Sequence, residues 1–381
     1  MASDKPLIAI IGAGMGGLTA AAVLRRMGCE VRVFEQAAKF ARVGAGIQMS
    51  PNAMCVLRGL GLEEPLRRIA FQPPSWMNKT WDSGEMQFEF PLGAPVEARY
   101  GLPYLMLHRG DLHQALLSLV PPEWIELNRQ LVGVAQHSCG MELRFSDGPP
   151  ARADIVIAAD GVHSRVREIL LGPEEPRFTG RAAYRAVFPA SLLGAGTVGH
   201  YTKWWGPDRH IVIYFVGPRK EEIYFVTSVP EPEYRRESWS ARGDLGGLRK
   251  AFEGFHEEVQ CVLAACPEVH KWAILERDPL PRWSDGRIAL LGDACHPMTP
   301  YMAQGAATAL EDAVVLSRCI EEIGLGEMET AFTCYEATRK ERTSLIQLNS
   351  HLNRFMSGPT DPDWVYRYDA WSEPLRAPAR P

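Results

Sequence analysis

Apolar residues near the start of the chain follow a pattern that predicts a strand, a helix and a second strand. Five of them, Leu7 to Ile11, form a run typical of a buried strand. Small and apolar residues then predict a helix from about Gly16 to Met27. Glu30 to Phe34 predict the second strand, which ends at Glu35. This order is typical of a βαβ unit in a parallel sheet.

Three glycines between the first strand and the helix indicate a cofactor site. Gly12, Gly14 and Gly17 have the G-x-G-x-x-G spacing. Gly12 allows the tight turn, Gly14 lets a pyrophosphate approach the backbone, and Gly17 lets helix and strand pack closely. Glu35 can accept a hydrogen bond from a ribose hydroxyl. A lone glycine motif is weak, but strands, helix and acid are in register here. The stretch therefore predicts an adenine dinucleotide site.

The same stretch shares one property with membrane spans and signal peptides, because residues 7 to 24 carry no charge. Four glycines interrupt this run, Asp4 and Lys5 precede it, and no small-residue cleavage pattern follows. We therefore expect a soluble, cytoplasmic protein that does not bind a membrane.

A second motif follows another predicted buried strand, Ile155 to Ala159. Asp160 and Gly161 end that strand, and Ser164 and Arg167 complete a D-G-x-x-S-x-x-R pattern. In an α/β fold, an acid and a glycine at a strand end line the crevice at the carboxyl ends of the strands. Taken alone, the pattern also fits a turn and a helix N-cap, so its functional interpretation depends on the first motif.

The third motif begins with a predicted buried strand, Ile288 to Leu291. Gly292, Asp293 and a proline-rich turn follow, and a helix of small residues begins near Gly305. The N–H groups and the positive dipole end of this helix point at whatever lies above Gln304 and Gly305. A reduced flavin is negative at the pyrimidine end of its ring, so this arrangement would favour the reduced anion. The alternative is a strand, turn and helix of purely architectural purpose.

Residues 178 to 277, between the second and third motifs, have the pattern of strands. IVIYFVG and EEIYFVTSV, separated by PRK, predict a hairpin, and alternation places His210, Val212 and Tyr214 on one face. Residues 71 to 100, rich in Pro, Trp and Phe, predict another excursion from the first sheet. The strands form either a plain amphipathic layer or the roof of a pocket for a flat aromatic ligand.

Two other positions have both a structural and a functional interpretation. Gly44 and Gly46 suggest a chain reversal with close backbone approach, or an ordinary loop. Arg109, before an amphipathic helix, is either a surface residue or a cation positioned for a phosphate.

Composition narrows the class of protein. The 381 residues, 46% of them hydrophobic, are enough for two domains, and a net charge of -5 gives no basic excess for nucleic acid. Eight scattered cysteines form no C-x-x-C pair, which favours buried thiols over disulfides or metal ligands. We expect no bound metal, and a monomer or homodimer.

The three motifs, GAGMGG with Glu35, DGVHSRVR and GDACHPMTPYMAQGAATALEDA, resemble those of the single-component (class A) flavoprotein aromatic hydroxylases in order and spacing. This group contains p-hydroxybenzoate and salicylate hydroxylases, and the resemblance covers nearly the whole chain. It implies an α/β fold in which a Rossmann-type FAD-binding domain is interleaved with a β-sheet substrate domain, followed by C-terminal helices. We expect the FAD domain in residues 1–70, 101–177 and 278–350, the sheet domain in 71–100 and 178–277, and a C-terminal segment in 351–381.

The resemblance also implies roles for individual residues. Those expected to bind FAD are Gly12, Gly14, Gly17, Glu35, Arg42, Gly46, Arg109, Asp160, Gly292, Asp293, Pro300, Gln304, Gly305 and Ala306. Those expected to face the substrate are Gln48, His210, Tyr214, Tyr224 and Tyr301.

The chemistry implied by the resemblance begins with NADH or NADPH, which reduces FAD at a transient position, since the chain has a single G-x-G-x-x-G. O2 then forms an electrophilic flavin C4a-hydroperoxide, so the substrate must be electron-rich: a hydroxylated aromatic or pyridine carboxylic acid. If the attacked carbon carries the carboxylate, CO2 leaves as the hydroxyl arrives. We expect His210, helped by Tyr214 or Tyr224, to accept or relay the phenolic proton. Alternatively, His210 binds a substrate carboxylate or only packs in the sheet.

This sequence departs from the family pattern at two positions that bear on the substrate. Gln48 and Tyr301 stand where family members that act on hydroxylated pyridine carboxylates have histidines. A salicylate-type hydroxylase is therefore an alternative. A second alternative, from another class, is a flavin reductase or redox protein of the same fold that inserts no oxygen, for which Cys295 would be a candidate redox thiol.

Overall fold

A computed structural model describes residues 6–42, 45–137, 140–234 and 241–377. Gly44, for which a close backbone approach is predicted, and Cys139 lie outside the described residues.

The described strands are β1 (Leu7–Ile11), β2 (Glu30–Phe34), β3 (Gly46–Met49), β4 (Ser75–Thr80), β5 (Met86–Pro91), β6 (Leu105–His108), β7 (Ile125–Glu126), β8 (Leu131–His137), β9 (Gly140–Phe145), β10 (Ala151–Ala153), β11 (Ile155–Ala158), β12 (Arg177–Pro189), β13 (Tyr201–Trp205), β14 (His210–Val216), β15 (Glu222–Pro230), β16 (His270–Glu276), β17 (Ser284–Asp285) and β18 (Ile288–Leu290).

The described α-helices are α1 (Met15–Arg26), α2 (Pro51–Gly59), α3 (Glu63–Ile69), α4 (Gly93–Tyr100), α5 (Arg109–Leu117), α6 (Arg165–Leu171), α7 (Leu245–Ala251), α8 (Glu257–Ala265), α9 (Gly305–Ile323), α10 (Met328–Leu352) and α11 (Asp363–Tyr366).

A six-stranded sheet in the order β17, β18, β11, β1, β2, β7 carries all three motifs. Its strands from β18 to β7 are parallel, and β17 runs antiparallel to β18. β1 lies between β11 and β2 and is buried on both faces, which explains its uninterrupted apolar run. The predicted bounds of β1 and β2 are confirmed. β11 and β18 each end one residue earlier than predicted, and α1 both begins and ends one residue earlier.

A seven-stranded sheet in the order β16, β12, β15, β14, β13, β4, β5 forms the second layer. The predicted hairpin of β14 and β15 is confirmed, with Tyr214 directly opposite Tyr224. One face of this sheet packs against α7 and α8, where Trp204 stacks on His256 with ring centroids 4.8 Å apart. Because successive side chains point to opposite faces, the neighbours of Trp204 point away from these helices.

Two long helices follow the sheets, and the expected C-terminal helices are thereby confirmed. α9 has 19 residues and packs against α1, α2 and α10, and α10 has 25 residues. Within the described residues, no helix combines the length and the apolar character that crossing a membrane requires. The same residues contain no cluster of His, Cys, Asp and Glu suited to a metal ion, and their seven cysteines are free thiols.

Candidate active site

The glycine-rich turn after β1 combines two crowded positions with an open one. Gly12 has φ +99°, and a Cβ there would overlap the carbonyl of Ala159. A Cβ on Gly17 would overlap the carbonyl oxygen of Gly12, whereas a Cβ on Gly14 would meet nothing within 4 Å. Gly12 and Gly17 are therefore required by backbone packing. Gly14 leaves room in front of the α1 N-terminus, where a pyrophosphate is expected.

Glu35 lies at the end of β2, beside this turn. Its carboxylate accepts the backbone N–H of Ala13 at 2.8 Å and that of Ala37 at 2.8 Å. Each carboxylate oxygen has a second lone pair, so these two bonds leave the group able to accept from a ribose hydroxyl. The arrangement holds the carboxylate next to the open space at Gly14.

Asp160 has a definite structural role in the second motif. Its carboxylate accepts the Ser164 hydroxyl at 2.6 Å and the backbone N–H of Arg165 at 2.8 Å, so it holds the first turn of α6. Burial raises its pKa. Arg167, from the same motif, donates to the carbonyl of Ala294 at 3.0 Å and joins the second motif to the third. Most contacts of these side chains are therefore those of a turn and a helix N-cap, the alternative interpretation of this motif.

Asp293 in the third motif is the most available carboxylate of the three motifs. No hydrogen bond to its carboxylate is found among the described residues, and a Cβ on Gly305 would lie 3.7 Å from its Oδ1. Burial raises its pKa, and the positive charge of Arg109 opposes part of that shift. Gly292, with φ +63°, allows the close approach of this turn to Ala309. Asp293 thus faces the start of α9 with its hydrogen-bonding capacity unused.

Gln304 connects the start of α9 to α2. Its side-chain amide donates to the Ser50 hydroxyl at 3.0 Å and accepts from Asn52 at 2.9 Å. The side chain is therefore engaged, and the free donors at this point are the first backbone N–H groups of α9, at Gly305 and Ala306. Pro300 is exposed and lies in the turn that precedes them.

The cofactor crevice, lined by Gly14, Glu35, Asp160, Asp293 and the α9 N-terminus, lies along one edge of the parallel sheet. β18, β11 and β1 are neighbours in that sheet, so their carboxyl ends meet there. The open space at Gly14 suits a pyrophosphate, the Asp293 carboxylate suits a hydroxyl donor, and the α9 N-terminus suits the negative end of a flavin ring. The residues present therefore fit FAD.

Two arginines near the crevice differ in their availability. Arg42 pairs with Asp111 at 2.8 Å and with Glu222 at 2.8 Å, and thereby joins α5 to β15. Arg109 begins α5 and is exposed. Its backbone N–H donates to the Ala45 carbonyl at 2.8 Å, but its guanidinium has no hydrogen bond or ion pair with the described residues. Its charge acts on Asp293 and on Tyr224, both on the crevice side of the molecule. Arg109 is the arginine with a free guanidinium.

The seven-stranded sheet meets a separate two-stranded sheet, formed by β3 and β6, at Gly46. A Cβ on Gly46 would lie 2.6 Å from the Tyr214 hydroxyl and 2.8 Å from the Tyr224 ring. The glycine expected to contact the cofactor thus lies directly against the two tyrosines expected to face the substrate. The sheet face with these tyrosines is therefore the face that points to the crevice.

Tyr201, Tyr214 and Tyr224 lie at one end of this face, and Tyr104 and Gln48 from neighbouring segments contact Tyr201 there. We call Gln48, Tyr104, Tyr201, Tyr214 and Tyr224 the tyrosine pole. The Gln48 carbonyl accepts the Tyr104 hydroxyl at 2.7 Å and the Tyr201 hydroxyl at 2.8 Å. Burial raises the pKa of Tyr214 well above its usual range and that of Tyr224 to about 12. These hydroxyls remain protonated at neutral pH and act as donors.

Cations and polar groups occupy the other end. We call this group the histidine pole, and its members are Arg181, Lys203, His210, Ser228, Tyr301 and Asn353.

The Tyr301 hydroxyl lies 2.8 Å from that of Ser228, and Arg181 Nε donates to the Ser228 hydroxyl at 2.6 Å. The rings of His210 and Tyr301 meet edge to face, with centroids 5.6 Å apart. Burial, reinforced by the charges of Lys203 and Arg181, lowers the pKa of His210 well below its usual value. His210 is therefore a neutral imidazole at neutral pH.

The predicted catalytic residues are divided between the two poles. Tyr214 and Tyr224 are adjacent, with ring centroids 5.0 Å apart. His210 is four residues from Tyr214 on the same strand, which corresponds to about 13 Å. No hydrogen bond joins the described side chain of His210 to either tyrosine, and its aromatic neighbours are Trp205 and Tyr301.

Comparison with known proteins agrees with this geometry. The family described as FAD binding domain matches residues 6–347. The chain belongs to this family. It is 47% identical to the 6-hydroxynicotinate 3-monooxygenase of Bordetella bronchiseptica, with 97% of each chain covered. It is 44% identical to the enzyme of that name from Pseudomonas fluorescens, covering 99% of this chain and 98% of the other.

Solved structures extend the comparison to the fold. Klebsiella pneumoniae HpxO complexed with FAD and uric acid superposes with a TM-score of 0.82 at 27% identity, covering 94% of this chain and 90% of that one. The chain is thus an FAD-dependent aromatic monooxygenase of the flavoprotein hydroxylase group, and the predicted fold class and cofactor are confirmed.

In this flavoprotein hydroxylase, Cys295 is unsuited to redox chemistry with the flavin. The thiol is fully buried, and burial with the nearby charge of Asp312 raises its pKa well above the usual value. A thiol that stays protonated is a poor nucleophile. The redox-thiol alternative therefore loses its candidate residue.

Two features of the site escaped prediction from the sequence. Lys203 and Asn353 belong to the histidine pole, although neither was among the expected site residues. Alternation along YTKWW places Lys203 on the face of His210, so a charged residue in an otherwise buried strand was the available signal. The second feature is a buried ion cluster of Glu311, Asp312 and Arg339 beneath the start of α9.

Proposed function

We propose that the chain uses FAD, NADH or NADPH, and O2 to hydroxylate a hydroxylated pyridine or aromatic carboxylic acid, with 6-hydroxynicotinate as the first candidate. The observation that carries this proposal is the similarity, over nearly the full length, to two 6-hydroxynicotinate 3-monooxygenases. A further relative, the 3-amino-4-hydroxybenzoate 2-monooxygenase PtmB3 of Streptomyces platensis, is 36% identical. It too is named for a substrate that carries both a ring hydroxyl and a carboxylate.

The two poles of the pocket support the same substrate class. The tyrosine pole offers neutral hydroxyl donors, and the histidine pole contains the cations Lys203 and Arg181. Between them, Val212 lies opposite Val226 on an apolar stretch of sheet. A ring with an oxygen at one end and a carboxylate at the other, as in 6-hydroxynicotinate, matches this order of groups.

FAD, when bound in the crevice, supplies the reducing and oxygen-transferring chemistry. The protein's own contribution is to bind and orient the ring and to exclude water. The tyrosine pole holds the ring oxygen, whose electrons activate the opposite carbon, and the apolar stretch keeps water from the reacting face. In 6-hydroxynicotinate that opposite carbon bears the carboxylate, so we propose that CO2 leaves as the new hydroxyl is formed.

The geometry favours carboxylate binding over proton relay as the role of His210. As a neutral group with a lowered pKa beside Lys203 and Arg181, it is a weak base in a positive environment. Such a group is better suited to binding a carboxylate than to accepting a phenolic proton. His210→Ala separates the roles. A proton relay predicts a loss of kcat with little change in KM, and carboxylate binding predicts mainly a rise in KM.

A substrate screen tests the proposed function directly. NADH and NADPH oxidation is measured with 6-hydroxynicotinate, salicylate, 4-hydroxybenzoate and 5-hydroxypicolinate, and products and CO2 are quantified. Stimulated oxidation with a hydroxylated product and one CO2 per 6-hydroxynicotinate is expected. Faster coupled turnover of salicylate would favour the salicylate-type alternative. Stimulation by none of these acids would favour the flavin reductase.

Three further expectations stay predictions. The domain division at residues 70, 100, 177, 277 and 350 is tested by limited proteolysis of the FAD-loaded protein. Size-exclusion chromatography with light scattering tests the expected monomer or homodimer. Cell fractionation tests the expected cytoplasmic location and the absence of membrane or nucleic-acid partners.

A further inference from the structure

Lys203 is a buried cation without a carboxylate partner among the described residues. Its side chain is 2% exposed. Its Nζ donates to Asn353 Oδ1 at 3.0 Å and lies 3.9 Å from the centroid of the Trp205 ring. Burial lowers its pKa to about 7. A buried charge of this kind is costly, so a function for it is expected.

Asn353 links Lys203 to His210. It lies just after α10 with φ +49°, a left-handed conformation that Asn adopts more readily than most residues. One end of its side-chain amide contacts Lys203, and the other lies 3.4 Å from His210 Nδ1. The three side chains form a short chain of hydrogen bonds across the histidine pole.

The direction of these hydrogen bonds follows from the chemistry of lysine. Below pH 7 Lys203 is mainly an ammonium, which has only donors, so the amide carbonyl must face Lys203 and the amide NH2 must face His210. A neutral imidazole that receives a hydrogen bond at Nδ1 has its proton on Nε2. The orientation of the amide thereby determines which nitrogen of His210 is the donor.

We propose that Lys203 and Asn353 are positioning residues that hold His210 as a neutral imidazole with its proton on Nε2, which offers an N–H donor to the carboxylate of the substrate. The assignment of the carboxylate to this pole rests on the proposed function, whereas the tautomer of His210 does not. In this tautomer Nε2 has no free lone pair and does not act as a base, which explains why a neutral histidine lies among cations in a pocket for an acid.

Asn353→Asp is the sharpest test, because it reverses the hydrogen bond to His210 within nearly the same volume, while it also places a negative charge beside Lys203. Aspartate is nearly isosteric with asparagine and also tolerates the left-handed conformation. A carboxylate accepts from both neighbours and donates to neither, so His210 must place a proton on Nδ1. We expect the wild-type, FAD-loaded protein to show a bare Nδ1 at His210 by 15N NMR of labelled histidines, and the variant to show a protonated Nδ1. The signal is assigned with His210→Gln.

Substrate affinity provides a second measurement. Lys203→Met should weaken 6-hydroxynicotinate binding by about tenfold or more, since a charge-supported hydrogen bond is lost. Binding of 2-hydroxypyridine, the same ring without a carboxylate, should change little. Lys79→Met is the matched control. Lys79 is a lysine of the neighbouring strand, it pairs with Glu258 and it contacts Trp204 on the opposite sheet face. It should leave both the His210 tautomer and the affinity unchanged.

The outcomes separate this proposal from the proposed function. A wild-type His210 protonated on Nδ1, or an Asn353→Asp variant with a bare Nδ1, overturns the positioning role whatever the enzyme's activity. Equal weakening of both ligands by Lys203→Met overturns the carboxylate assignment. If no aromatic acid stimulates turnover in the wild type, the proposed function fails, and the tautomer measurement still decides the positioning role.

Discussion

The cofactor crevice and the proposed substrate pocket are built in different ways. The crevice is formed largely by backbone, through a glycine turn, the starts of helices and the ends of neighbouring parallel strands. The pocket is formed by side chains from distant parts of the chain, such as Gln48, Tyr104, His210, Tyr301 and Asn353. The crevice is therefore sensitive to added volume and the pocket to changed chemistry.

The largest effect is expected from Gly17→Ala in the crevice. The new Cβ would overlap the Gly12 carbonyl, a backbone atom that cannot move without distorting β1 and α1. We expect a loss of about 4 kcal/mol or more in unfolding free energy, or no folded protein. Gly14→Ala is the matched variant, since its Cβ meets only open space. It should fold normally and lose FAD affinity. Chemical denaturation and FAD titration measure the two effects, and normal stability of Gly17→Ala contradicts the packing argument.

Arg339→Met, beneath the crevice, should lower the unfolding free energy by nearly as much as Gly17→Ala. Arg339 pairs with Glu311 at 2.7 Å and Asp312 at 2.7 Å, and all three side chains are fully buried. Without Arg339, Glu311 keeps its pair with Arg342 and Asp312 keeps its contact with His296. Both buried carboxylates still lose the cation that they share, so we expect a cost of about 3 kcal/mol in unfolding free energy. Arg376→Met breaks an exposed pair with Glu341 and should cost less than about 1 kcal/mol. Equal losses of unfolding free energy in the two variants would show that the buried ion pairs stabilise the fold no more than the exposed pair does.

Lys203 should make the unfolding free energy of the protein depend on pH. The pKa of Lys203 is lowered by burial from 10.5 to about 7. Between these values the unfolded chain binds a proton that the folded chain does not, so unfolding free energy rises with pH. The slope is at most about 1.4 kcal/mol per pH unit. The destabilisation caused by burying the charged lysine is absent above pH 10.5 and complete below pH 7. Denaturation of wild type and Lys203→Met across this range measures it, and parallel pH profiles would contradict a lowered pKa.

Gly46→Ala tests where crevice and pocket meet. Its Cβ would lie 2.6 Å from the Tyr214 hydroxyl and 2.8 Å from the Tyr224 ring, so both tyrosines must shift. We expect substrate affinity to fall about tenfold, in line with an overpacking cost of about 1–3 kcal/mol, and FAD affinity to fall less. Gly326→Ala, whose Cβ would meet nothing within 4 Å, serves as the control. A selective loss of FAD would support the predicted cofactor role of Gly46 instead.

The smallest effect is expected at Arg42, which was predicted to bind the cofactor. Its guanidinium is already paired with Asp111 and Glu222 and is largely exposed. Arg42→Ala should change unfolding free energy by less than about 1 kcal/mol and leave FAD affinity almost unchanged. Arg109→Ala should weaken FAD binding about tenfold, because a free cation near a phosphate is lost. Fluorescence titration of the apoprotein compares them, and the reverse order would mean that Arg42 exchanges its carboxylates for the cofactor.

Much of the fold and the cofactor were predictable, because they depend on local patterns. β1, β2, the hairpin of β14 and β15 and the start of α9 appear where the sequence predicts them. Gly12 and Gly17 were recognisable because their spacing reflects a backbone requirement that acts over a few residues. The separation of His210 from Tyr214 follows from their spacing on one strand. What was not recognisable is that Tyr301 and Asn353 lie beside His210, because these residues come from distant parts of the chain.

By itself, the sequence determined a dinucleotide crevice with two strands, a helix, three glycines and Glu35, since neighbouring residues suffice to build it. Only the tertiary structure decided that Asn353, after α10, lies between Lys203 of β13 and His210 of β14. It also decided that Gly46 packs against Tyr214 and Tyr224. These contacts join residues more than a hundred positions apart, and no periodicity encodes them. The proposed substrate contacts therefore depend on packing between distant segments, whereas the glycine turn of the cofactor crevice depends on neighbouring residues.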